Sequence, residues 1–159
     1  MSVIQSFLQS RPAIVAGLTF LVLLLVPAAL AEEPEIYTGF GSSLAVGGYD
    51  TVAYFSEGQP VKGSKDFTLD YKGATWRFSS QENLVAFEQD PEAFAPQYGG
   101  YCAWAMANGD LAKGNPNFWR IVDGRLYLNI SRGIQRKWEK DIPGFIEKAD
   151  ANWPGILMD

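Results

Sequence analysis

The chain has 159 residues, room for one domain and not comfortably for two, and its 47% hydrophobic and 14% aromatic content excludes a disordered chain. Thirteen basic against eighteen acidic side chains leave a net charge of −5, which argues against nucleic acid, whose phosphates need a basic face. Histidine is absent and cysteine occurs once, so a Ser-His-Asp relay, a Cys-His pair, an imidazole-held zinc, an internal disulfide and a CxxC redox pair are all excluded.

Residues 1–31 read as an address. Arg11 is their only charge, Ala13 to Val26 are apolar, Gly or Thr, and Ala29-Leu30-Ala31 precedes Glu32-Glu33. A short apolar core ending in an A-x-A site predicts a cleaved secretory signal peptide and a periplasmic protein. The alternative is an uncleaved N-terminal membrane anchor, since residues 12–31 carry no charge over the length of a spanning helix. Cleavage would leave no stable membrane span. Residues 32–43, acidic and then rich in Gly and Ser, form a lead-in to one domain over residues 44–157.

Along that domain, Val52 to Phe55 reads as a strand end. Phe67 to Tyr71 and Ala74 to Phe78 alternate around Lys72-Gly73, which predicts a hairpin with Tyr71, Trp76 and Phe78 on the buried face. Ser79-Ser80 cap a helix carrying Leu84 and Phe87, and Asp90-Pro91 opens another carrying Phe94. Gly99-Gly100 break the chain before a short helix within Tyr101 to Ala107, stopped by Asn108-Gly109. Trp119 to Val122 and Arg125 to Asn129 flank the turn Asp123-Gly124. Ser131 caps a helix through Ile134 and Trp138 toward Ile142, which Pro143-Gly144 interrupt before a closing helix from Phe145 to Trp153. No internal repeat or low-complexity tract is visible. Hairpins followed by helices imply an α+β fold of small antiparallel hairpins with packed short helices.

Few residues point to chemistry. Cys102 lies in the first turn of a short helix, where the helix end favours thiolate, and Met106 sits four residues on along the same face. The pair suits a soft metal ion such as copper(I), or Cys102 alone a redox thiol; equally, cysteine and methionine are common core fillers. Asp50, after Gly47-Gly48-Tyr49, suits a ligand-approach loop or a turn entering a strand. Asp66 and Asp70 share a strand face and read as solvated, as does the basic stretch Arg132, Arg136, Lys137 and Lys140. Asn129-Ile130-Ser131 matches a glycosylation acceptor and also a strand end with a helix cap.

The segment Gly48 to Tyr98 resembles the YHS domain, through Asp50-Thr51-Val52, the run Tyr71, Gly73, Trp76, Phe78 and Ser80, then Phe87, Pro91 and Phe94. With GYDTVAYF, GGYCA and IVDGRLYLN, the chain is similar to exported single-domain YHS proteins of Gram-negative bacteria. The resemblance implies a treble-clef-like core. Metal-binding members of the family carry cysteines where this chain has Ala53, Ser79 and Asn83, so it implies that their thiolate site is gone. Some relatives are selenoproteins, and Cys102 is the one position here that could correspond to a redox selenocysteine. Two functions follow as expectations. One is a periplasmic binding or interaction module with a protein or small-molecule partner. The other is a thiol-dependent redox or copper-binding protein centred on Cys102. Nothing indicates an enzyme.

Overall fold

A computed structural model describes residues 32–158; the expected signal segment lies outside them. Six short helices pack on three two-stranded antiparallel sheets, an α+β arrangement as the sequence predicts. In chain order these are β1 (Tyr49–Asp50), α1 (Ala53–Ser56), β2 (Val61–Lys62), β3 (Ser64–Tyr71), β4 (Ala74–Phe78), α2 (Gln81–Gln89), α3 (Pro91–Phe94), α4 (Ala103–Ala107), β5 (Asn115–Val122), β6 (Arg125–Asn129), α5 (Arg132–Trp138) and α6 (Ile142–Asn152). The sheets pair β1 with β2, β3 with β4, and β5 with β6.

Local chemistry explains most boundaries. Lys72-Gly73 and Asp123-Gly124 both have positive φ at two successive residues, the type I′ geometry that matches strand twist. The hydroxyls of Ser80 and Ser131 accept the N–H groups of Asn83 and Ile134, and the carboxylates of Asp90 and Asp141 accept those of Ala93 and Gly144. Two expectations are corrected. Val52 to Phe55 is not a strand end: α1 occupies it, because the Asp50 side chain accepts the N–H groups of Val52 and Ala53 and starts a helical turn. Pro143-Gly144 do not interrupt the Ser131-capped helix, which already stops at Trp138, but lie in the first turn of the closing helix, where proline's missing N–H has no partner to lose.

The expectation of no internal repeat is also corrected. The described chain is built from one unit used twice, at an interval of 51 or 52 residues. Val46-Gly47-Gly48 and Tyr98-Gly99-Gly100 each run through three consecutive left-handed residues before an extended tyrosine, Tyr49 or Tyr101. The freed carbonyls of Gly48 and Gly100 accept the N–H groups of Gly63 and Gly114, each at 3.0 Å. A one-turn helix follows each glycine pair, then a hairpin whose register slips once, between Ser64 and Thr68 or between Asn115 and Trp119. Serine-capped and aspartate-capped helices end each copy.

Each unit has its own buried cluster, one around Trp76, Phe78 and Phe87, the other around Tyr127, Met106 and Trp138. Strand β6 joins them. Leu126 and Leu128 face the first cluster and Tyr127 the second, so this strand is buried on both sides. Tyr54 of α1 also crosses the seam. Its hydroxyl donates to the Pro116 carbonyl at 2.8 Å, and its ring meets Trp119 edge-on at 5.0 Å. Before the first unit, Ile36 is buried and the Tyr37 N–H donates to the Gly99 carbonyl. Gly99 permits that crossing: a Cβ there would stand 1.7 Å from the Glu35 carbonyl oxygen.

Candidate functional site

The two units place different residues at one equivalent point. After the glycine turn and its tyrosine comes Asp50 in the first unit and Cys102 in the second, both fully buried.

Asp50 is held by five donors. Its Oδ1 accepts from the backbone N–H of Val52 at 2.9 Å and of Ala53 at 3.2 Å. Its Oδ2 accepts from the Ser79 N–H, the Ser79 hydroxyl and the Asn83 amide, each at 2.7 Å. The carboxylate therefore ties β1 to the start of α1, the end of β4 and the first turn of α2. Of the two readings the sequence left open, the structure has the turn entering a strand, and the side chain points inward rather than toward a ligand.

In the second unit the Ile130 N–H, which corresponds to that of Ser79, points at the Cys102 Sγ at 3.3 Å. The thiol donates to the Asn129 Oδ1 at 3.6 Å, and the same oxygen accepts the Trp104 N–H at 3.3 Å. Cys102 is the N-cap of α4 rather than a member of its first turn. Met106 is on that helix and fully buried beside Tyr98, Tyr101 and Trp138. The Asn129 Nδ2 and Trp138 Nε1 are buried without a hydrogen-bond partner among the described residues. Asn129 is a residue that sequence reasoning missed as a partner of the thiol. It ends β6 with its side chain in the core, which overturns the glycosylation pattern and leaves the strand end and helix cap.

The other polar candidates are at the surface. Asp66 and Asp70 are exposed and accept from the half-buried Ser64 and Thr75 hydroxyls. Arg132 lies over the Phe118 ring and Lys137 over Trp104, while Arg136 and Lys140 are exposed, so the basic stretch forms no single site. Among the described residues no three His, Cys, Asp or Glu side chains converge as metal ligands, and no helix is long and apolar enough to cross a membrane.

Burial raises several phenols. It pushes Tyr101 up to about 12, with Glu33 and Tyr37 adding to the effect. Tyr54 and Tyr98 are raised further by the same cause, helped at Tyr98 by its 2.8 Å hydrogen bond to the Asp150 carboxylate. These hydroxyls stay protonated over the physiological range and act as donors.

Residues 52–98 match the family model of the YHS domain. The match begins beside Asp50 and stops at Tyr98, the residue whose turn opens the second unit. No curated protein and no solved structure matches the chain. Within the matched segment, the thiolate set that the resemblance implies does not fit the residues present. Ala53 has no donor atom, and Ser79 and Asn83 direct their polar atoms to Asp50.

Proposed function

We propose that this chain is an exported, periplasmic binding or interaction module on a YHS-like scaffold that lacks the metal ligands of the family. The observation that carries this reading is the occupation of Ser79 and Asn83 by Asp50, at the positions where a ligand set would stand. The full burial of Cys102, with its sulfur between a backbone donor and the Asn129 oxygen, supports it further. The sulfur is shielded as a packed, hydrogen-bonded thiol is, and a reactive cysteine instead needs access and an electropositive setting.

The competing reading is a redox thiol, or a copper site of Cys102 with Met106. Alkylation by iodoacetamide across pH, with metal analysis of the same preparation, separates the two. The module reading expects slow labelling of the native protein, rapid labelling in denaturant and no stoichiometric copper. Rapid native labelling, or copper lost on Cys102→Ser, would overturn it. Export is tested by cell fractionation with mass determination. A soluble periplasmic product beginning at Glu32 is expected, and full-length protein held in the membrane would favour the anchor.

A further inference from the structure

Residues 33–37 of the lead-in form a strap that is held to the domain at each position. The Glu33 N–H donates to the Leu157 carbonyl at 2.9 Å, and the Pro34 carbonyl accepts the Tyr101 hydroxyl at 2.9 Å. The Glu35 carboxylate pairs with Lys72, Ile36 is buried, and the Tyr37 N–H donates to the Gly99 carbonyl at 2.9 Å. The bond between Ala31 and Glu32, where the A-x-A pattern predicts cleavage, comes immediately before this strap. Consecutive Cα atoms are about 3.8 Å apart, so that bond has no more than about 7 Å of chain between it and the held Glu33 backbone. A protease takes its substrate as an extended strand, pairing main-chain groups on both sides of the bond it cuts. Downstream of this bond, the Glu33 N–H and the Pro34 carbonyl are already committed to the domain.

We propose that the seated strap closes the processing site, so that the signal segment is removed before the strap docks. The step is a hydrolysis. The C–N bond between Ala31 and Glu32 breaks, the oxygen of water goes to the Ala31 carbonyl carbon to complete a carboxylate, and the Glu32 nitrogen leaves as an ammonium. In a chain that folds first, only the fraction with an open strap can be cut, as for any proteolysis of a locally opened state. Such a chain keeps its apolar N-terminal segment and stays at the membrane. The periplasmic form and the anchored form are then products of one competition, between cleavage and the docking of residues 33–37. The proposal rests on the export reading and goes beyond it by fixing the order of cleavage and folding.

The test uses the full-length chain in detergent micelles with purified signal peptidase, read by intact mass. The chain is diluted from urea into the enzyme at once, or is added only after refolding is complete. Cleavage after Ala31 is expected in the freshly diluted chain, and slower by about tenfold or more in the refolded one. Tyr101→Phe removes the hydroxyl that holds the Pro34 carbonyl and should speed cleavage of the refolded chain about fivefold, the equivalent of one hydrogen bond. A flexible Gly-Ser insert of about ten residues between Glu32 and Glu33 leaves the strap seated, sets the bond on the order of 15 Å from it, and should restore full cleavage. A refolded chain cut as fast as the freshly diluted one, or one that stays uncut with the insert, would overturn the proposal alone. No cut after Ala31 in either state would overturn the export reading and the proposal with it.

Discussion

Asp50 concentrates more hydrogen bonds than any other side chain described, and it does so with no exposure to water. Five donors converging on one carboxyl group leave no room for an amide. In Asp50→Asn, one nitrogen would face N–H or hydroxyl donors, stranding buried groups that each cost on the order of 1–3 kcal/mol. A loss of about 3 kcal/mol or more in urea unfolding is expected; a loss under about 1 kcal/mol would mean the contacts are not maintained in solution. The importance of Asp50 was only half legible in the sequence. Ser79 and Asn83 are visible there as absent thiols, but their closure around Asp50 depends on contacts 29 and 33 residues apart. Cys102 was legible as a singular residue and its burial was not, since its main partners Asn129 and Ile130 lie more than 25 residues away.

At the scale of elements, turns and caps were the legible part. Both hairpin turns, the serine caps and the Asp90 cap follow from side chains acting within four residues of themselves, whereas the Asp141 cap was hidden behind Pro143-Gly144. Helix α1 was misread because Val52 to Tyr54 are buried all round, and an apolar run without periodicity fits either a strand or a helix. The repeat was overlooked because its copies share few side chains. VGGYD and YGGYC are its clearest trace, and Phe87 and Trp138, or Trp76 and Tyr127, correspond in place but not in type. The equivalence has a mutational signature. An added Cβ at Gly63 would lie 2.4 Å from the Arg77 carbonyl carbon, and one at Gly114 would lie 2.3 Å from the Gly100 oxygen, both immovable backbone. Gly63→Ala and Gly114→Ala should each destabilise by about 1–3 kcal/mol. Gly133→Ala, in α5, where an added Cβ would meet only the Ser131 Oγ at 4.0 Å, should instead stabilise by about 0.5–1 kcal/mol. Thermal melts of the three variants check this; opposite signs at Gly63 and Gly114 would break the equivalence.

For the whole molecule, the tyrosines set the response to alkali. Burial raises the phenols of Tyr54, Tyr98, Tyr101 and Tyr127 above their ordinary value near 10. Above pH 10 the unfolded chain loses those protons while the folded chain keeps them, so the unfolded state binds fewer protons and stability falls as pH rises. Below pH 10 the contribution is fully present. Ultraviolet titration should show these phenols ionising only as the protein unfolds, in one step with the loss of near-ultraviolet circular dichroism. Smooth ionisation of all seven tyrosines near pH 10 with the fold intact would contradict the packing.

The strand shared by the two clusters carries one more implication. Cys102 bridges to Leu128 of β6, whose side chain lies in the cluster braced by Asp50 on the opposite half. Loosening of the half braced by Asp50 is therefore expected to reach the strand that covers the sulfur, and faster thiol labelling of Asp50→Asn than of the parent protein would check it. The solitary thiol becomes a sentinel for the remote half of the molecule, quiet while both halves are intact and open to reagents once either one loosens.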